Sequence, residues 1–68
     1  MKNIFKDRLK ELRVENNLSQ AKLASLTYLS QAAIAKWEKG TRTPSMEYIV
    51  ILAKYFQVSS DYLLGLED

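Results

Sequence analysis

The sequence predicts an all-α fold of five short helices, organised as a single domain over residues 1–68. Three observations predict it. Apolar residues recur at spacings of three and four, as in Phe5, Leu9 and Leu12, and no stretch alternates in the manner of a strand. Ser19, Ser30, Ser45 and Ser59 each stand just ahead of such a run as N-caps, three of them with an apolar staple and one preceded by Pro44. The connections between runs are only a few residues long.

The first helix is expected from about Asn3 to Asn16, with Phe5, Leu9 and Leu12 as its buried stripe. Asn17 ends it, since asparagine tolerates the left-handed conformation better than most residues. Glu11 and Glu15 share a face, but with no metal ligand or base nearby they read as a solvated surface. The second helix runs from the cap Ser19 to Thr27, with Leu18 and Leu23 as staple and Ala21 and Ala24 small enough to let another helix approach. Ser30 caps the third through Ala32 or Ala33 and Gly40 stops it, which brackets Gln31 to Lys39. Leu29 and Ile34 staple its start, and Ile34 and Trp37 face inward, Trp37 as a core anchor. Its other face carries Gln31, Ala32, Ala35, Lys36 and Lys39: an amide, two methyls and two cations with almost no bulk.

The loop from Gly40 to Pro44 is the longest break in helical pattern; its short polar side chains, free backbone N–H groups and Arg42 suit a phosphate clamp. Ser45 caps the fourth helix, Glu47 complements its dipole, and Met46, Ile49, Ala53 and Phe56, joined by Leu52, form its inner stripe. Tyr48, Ile51 and Tyr55 make a second apolar stripe to one side, a candidate surface for a partner or a larger assembly. Val58, Ser59 and Leu63 repeat staple and cap, opening a fifth helix that ends at Gly65.

Two helices of under three turns, joined by Thr27, Tyr28 and Leu29 and meeting through alanines, fit a helix-turn-helix whose second helix reads the DNA major groove, although a plain αα-corner has the same outline. The pattern L-S-Q-x-x-L-A-x-x-x-x-L-S-Q-x-x-I-x-x-W-E-x-G over Leu18 to Gly40 resembles the Cro and phage-repressor type (XRE-like) family of transcriptional regulators. The likeness runs from RLKELR at Arg8 to Arg13 through to VSSDYLLG at Val58 to Gly65. It implies a lambda-repressor-like DNA-binding domain with helices two and three as the helix-turn-helix. It also implies that Arg13 pairs with Glu38 to tie the reading helix to the scaffold, and that Gln20 touches a phosphate. It places a dimer contact near the C-terminus, at Ser60, Tyr62 and Leu66, keeping two reading helices one DNA turn, roughly 34 Å, apart. Two positions depart from the pattern: Tyr28 stands where the family usually has Gly, and Ile51 where it has a charged or polar residue. Tyr28 is expected at positive φ, because Leu29 must still reach Ile34.

Composition fits this reading. A chain of 68 residues holds a barely sufficient core, so a homodimer is expected. The longest apolar run, Tyr48 to Ala53, is far too short to span a bilayer, and the N-terminus lacks a signal-peptide core, so the protein is expected in the cytoplasm. Without cysteine or histidine the commonest metal ligands and general base are missing; no enzyme, metal or cofactor is expected. Up to Pro44 nine basic residues face four acidic ones, whereas beyond it one base faces four acids, so the positive half is the half with the helix-turn-helix. The functional expectation is a sequence-specific double-stranded DNA-binding repressor. Gln31 reads adenine, Lys36 guanine, and Ala32 and Ala35 thymine methyls, while Gln20, Ser30, Lys39, Thr41 and Arg42 position phosphates. The alternative is an antitoxin or a helical protein-interaction module, which an acidic or bulky third helix would have favoured.

Overall fold

The computed structural model describes residues 4–67. Their helices are α1 (Ile4–Glu15), α2 (Gln20–Thr27), α3 (Gln31–Lys39), α4 (Met46–Phe56) and α5 (Ser60–Leu64). The expected start of the first helix at Asn3 lies outside the described residues. Its end falls one residue early: the Asn16 amide still bonds the Leu12 carbonyl, but Asn17 turns to φ 57° and the Asn17 and Leu18 amides fold back onto the Val14 and Arg13 carbonyls.

Each helix closes on a residue that reverses the chain. Asn17, Tyr28, Gly40, Gln57 and Gly65 all have φ between 57° and 84°, so non-glycine residues hold the left-handed region at three of the five stops. Asn17 and Tyr28 do so as expected; Gln57 was not anticipated. At the starts, the hydroxyls of Ser19, Ser30 and Ser59 accept the amides of Lys22, Ala33 and Tyr62, each at 2.9 Å. Ser45 departs from expectation. It has cap backbone geometry, but its own carbonyl takes the Tyr48 amide at 3.1 Å and its hydroxyl caps nothing.

One core joins the helices. Leu9, Leu23, Ile34, Ile49, Leu52 and Leu63 are fully buried, drawn from all five helices, and Phe5, Leu12, Ala24, Trp37 and Ala53 complete the cluster. The staple residues Leu18, Leu29 and Val58 lean on it from the rim. Met46, expected on the inner stripe, is instead exposed: it sits in the first turn of α4, and Ile49, Leu52 and Ala53 carry the burial of that helix, with Phe56 half-buried against the core. α1 packs on α3 and α5, α2 on α3 and α4, and α4 on α5. The first and last helices meet closely at Gly65, where an added Cβ would stand 2.9 Å from Ile4 Cβ.

Candidate nucleic-acid interface

The orientation of α3 is set from beneath by an ion pair. Arg13, near the end of α1, grips Glu38 with both ends of its guanidinium, Nε to Oε2 at 2.6 Å and a terminal nitrogen to Oε1 at 2.9 Å. Its remaining nitrogen donates to the Leu18 carbonyl at 2.8 Å, and Gln20 Nε2 donates to Glu38 Oε1 at 3.1 Å. The Arg13 and Glu38 side chains are only 13% and 5% exposed, so the pair works in a low-dielectric setting where a bidentate geometry is strong. The hydrogen bonds that Arg13 donates to Glu38 raise the Arg13 pKa above its usual value, outweighing the opposite pull of burial. One contact thus ties α1, the start of α2 and α3 together.

On this mount α3 turns Ile34 and Trp37 into the core and leaves Gln31, Ala32, Lys36 and Lys39 exposed, with Ala35 half-buried beside them. The four expected base-reading positions therefore share one helix, three of them open. Among the phosphate candidates, Ser30, Lys39, Thr41 and Arg42 are exposed, while Gln20 is half-buried and holds Glu38. The loop after α3 is less open than the sequence suggests. The amides of Gly40 and Thr41 and the Thr41 hydroxyl all return to α3, chiefly to the Lys36 carbonyl. Thr41 therefore finishes the helix, and Arg42 is the part of the loop that stays unengaged.

The other candidates fall on two further surfaces. Ser60 and Tyr62 are half-buried and Leu66 is exposed, together at the C-terminal end. Here the sequence reading missed Arg8. Its guanidinium lies 4.2 Å over the Tyr62 ring and donates to the carbonyls of Tyr62 and Glu67, pinning the tail to α1; Glu67 also meets the Ser59 hydroxyl. On α4, Tyr48 and Tyr55 are exposed and Ile51 half-buried, with the Tyr48 ring 5.7 Å from Trp37 and Tyr55 edge-on to Phe56. Met46 and Val50 are exposed as well, on the opposite flank of α4. No helix among the described residues is long and apolar enough to cross a membrane.

Comparison with known proteins agrees with this geometry. The family model described as Helix-turn-helix matches residues 9–63. The chain is 42% identical over 64 residues to the HTH-type transcriptional activator BcrR of Enterococcus faecalis, covering 94% of this chain and 31% of that protein. It is 41% identical over 61 residues to the HTH-type transcriptional regulator AnsR of Bacillus subtilis (strain 168), covering 90% of this chain and 53% of that protein. The chain thus spans about a third to a half of these relatives. Among solved structures, the P22 c2 repressor in complex with a synthetic operator superposes with a TM-score of 0.87 at 30% identity, over 97% of this chain and 100% of that one. The restriction-modification controller protein C.AhdI from Aeromonas hydrophila does so with a TM-score of 0.81 at 34% identity, over 90% of this chain and 92% of that one.

Proposed function

The chain belongs to the Cro and phage-repressor type of helix-turn-helix transcriptional regulators, DNA-binding proteins rather than enzymes, and on that premise we propose that it is a repressor that binds its operator as a symmetric dimer, with α3 in the major groove. The observation that carries this reading is the exposed, sparsely built, basic face of α3 held rigid by the Arg13–Glu38 clamp. A rigid mount matters because bidentate contacts to base edges tolerate little misplacement. Gln31 and Lys36 read bases, Ala32 and Ala35 meet thymine methyls, and Arg42, Lys39, Ser30 and the remaining donors of Gln20 face phosphates, with Thr41 joining them only if its hydroxyl leaves the Lys36 carbonyl. The 68 residues act as one domain. Repression needs only occupancy of a site that polymerase also needs, and a DNA-binding body of this kind supplies that unaided. The dyad lies at Ser60, Tyr62 and Leu66, and the Tyr48, Ile51 and Tyr55 surface serves a higher assembly.

Selection from a random duplex pool tests this. Gln31→Ala and Lys36→Ala should each weaken the selected site by about 1 to 3 kcal/mol and relax preference at one base pair, whereas Arg42→Ala should weaken all sequences about equally. Affinity should fall with salt at a log–log slope of roughly −0.9 per neutralised phosphate. An unchanged preferred sequence in both α3 variants would remove α3 as the reader. The alternative, an antitoxin or protein-interaction module, draws on the uncovered apolar side chains of α4, and a small protein co-purifying with the chain would favour it.

A further inference from the structure

A cleft runs alongside α3. One hollow of about 180 Å³ lies against Tyr28, Ser30 and Tyr48, a second of about 300 Å³ lies against Lys36, Arg42 and Ser45, and the two share Ala33, Trp37 and Tyr48. Among its lining side chains five carry hydroxyls and two carry cations, and none carries a carboxylate, so the cleft offers donors and positive charge to an anion. The hollow on α1 has the opposite balance, with Asp7, Glu11 and Glu15 against Lys10 on its walls. From Ser30 to Lys36 the cleft follows α3 for about 9 Å.

Tyr28 stands at the head of this cleft and does nothing for the fold. Its side chain is 96% exposed, and its backbone sits in the left-handed region at φ 59° and ψ 30°. A tyrosine there costs about 1 to 2 kcal/mol relative to glycine, and no packing offsets it. The backbone is nonetheless fixed: the Tyr28 and Leu29 amides both bind the Ala24 carbonyl, and Ser30 begins the cap of α3 two residues later. The Tyr28 side chain thereby leaves the backbone at a fixed place beside the reading helix, with its ring free to turn toward a ligand. At the other end, Ser45 is the cap serine whose hydroxyl takes no backbone amide.

We propose that this cleft is the track for one sugar–phosphate strand of the DNA read by α3, and that the Tyr28 hydroxyl donates to a phosphate at its head, setting how deeply α3 seats. The inference rests on the DNA-binding reading. Because a phosphate contact carries no base information, its loss weakens all sequences alike. Because the phenol is uncharged, its loss leaves the salt slope where it was.

The test uses the full chain and a duplex selected by it from a random pool, with Tyr28→Phe and Tyr28→Gly compared for affinity and thermal midpoint. Both variants should bind about three- to tenfold more weakly, by the same factor on scrambled duplex and with unchanged salt slope. Tyr28→Gly should at the same time melt higher, the opposite sign to its effect on binding, which a structural role for the ring would not produce. Replacing single phosphates by uncharged methylphosphonates should identify one position that weakens the wild type but not Tyr28→Phe. Wild-type affinity in both variants, loss at a single base pair, or identical methylphosphonate penalties at every position would overturn the assignment while leaving DNA binding intact. Failure of the wild-type chain to select any duplex would overturn both.

Discussion

Arg13 shows how a single side chain beneath α3 can fix the exposed face of that helix. Its guanidinium meets Glu38 twice and the Leu18 carbonyl once, and Gln20 fills the remaining space at Glu38 Oε1. Removing one partner strands a largely buried charge, so Glu38→Ala should lower stability by about 3 to 5 kcal/mol, a large share of what a domain this size possesses. The double variant Arg13→Met with Glu38→Met should recover much of that loss in urea denaturation, because neither charge is then left alone. If the single and double variants are equally unstable, the pair is not acting as a unit. The raised pKa of Arg13 works in one direction only. Its stabilising effect is fully present below the ordinary arginine range and is lost only as pH rises through the still higher folded value, so this group contributes no pH dependence near neutrality.

At the level of elements, the caps separate into two kinds. Ser19→Ala, Ser30→Ala and Ser59→Ala should each destabilise by about 1 kcal/mol, since each hydroxyl holds an amide that otherwise has no partner. Ser45→Ala should be close to neutral, because the Ser45 carbonyl already holds the Tyr48 amide. Thermal unfolding of the four variants checks this, and an equal loss at Ser45 would show that its hydroxyl caps α4 in solution. The helix boundaries were legible because caps, staples and left-handed stops are local devices, written within a few residues of where they act; even the positive φ of Tyr28 followed from the reach Leu29 requires. Less legible was whatever depended on surroundings. Met46 fits the helical period but lies in a first turn with nothing packed over it. Thr41 looks like a free loop donor and is occupied by the Lys36 carbonyl. Arg8 was missed because it binds main-chain carbonyls, which have no residue identity for a pattern to show.

For the molecule as a whole, size constrains assembly. The body measures 28 × 25 × 22 Å across its Cα atoms. Two reading helices one DNA turn apart, roughly 34 Å, would each lie about 17 Å from the dyad, more than half of any of those dimensions, so copies on adjacent half-sites meet only if α3 lies off-centre in the body and the side away from it faces the dyad. Leu66, 72% exposed on a tail that Arg8 holds still, is placed for that contact. Leu66→Lys should therefore weaken dimerisation in sedimentation and reduce operator affinity by about tenfold or more, as one lost hydrophobic contact and a buried cation would. Ile51→Lys should leave single-operator binding intact and abolish only larger assemblies. The reverse pattern would mean that the two surfaces have exchanged roles.

The close meeting of Gly65 with Ile4 has a consequence for how the protein is made. Of the five helices, α1 is made first and packs on α5, the last of the five, and neither is long enough to be stable alone. While translation continues, α2, α3 and α4 can pair with their neighbours, but α1 still lacks the surface that closes over it. Final closure of the core thus waits until α5 has been made, and a nascent chain cut short before Gly65 leaves Ile4 and the tail side of α1 open to other chains.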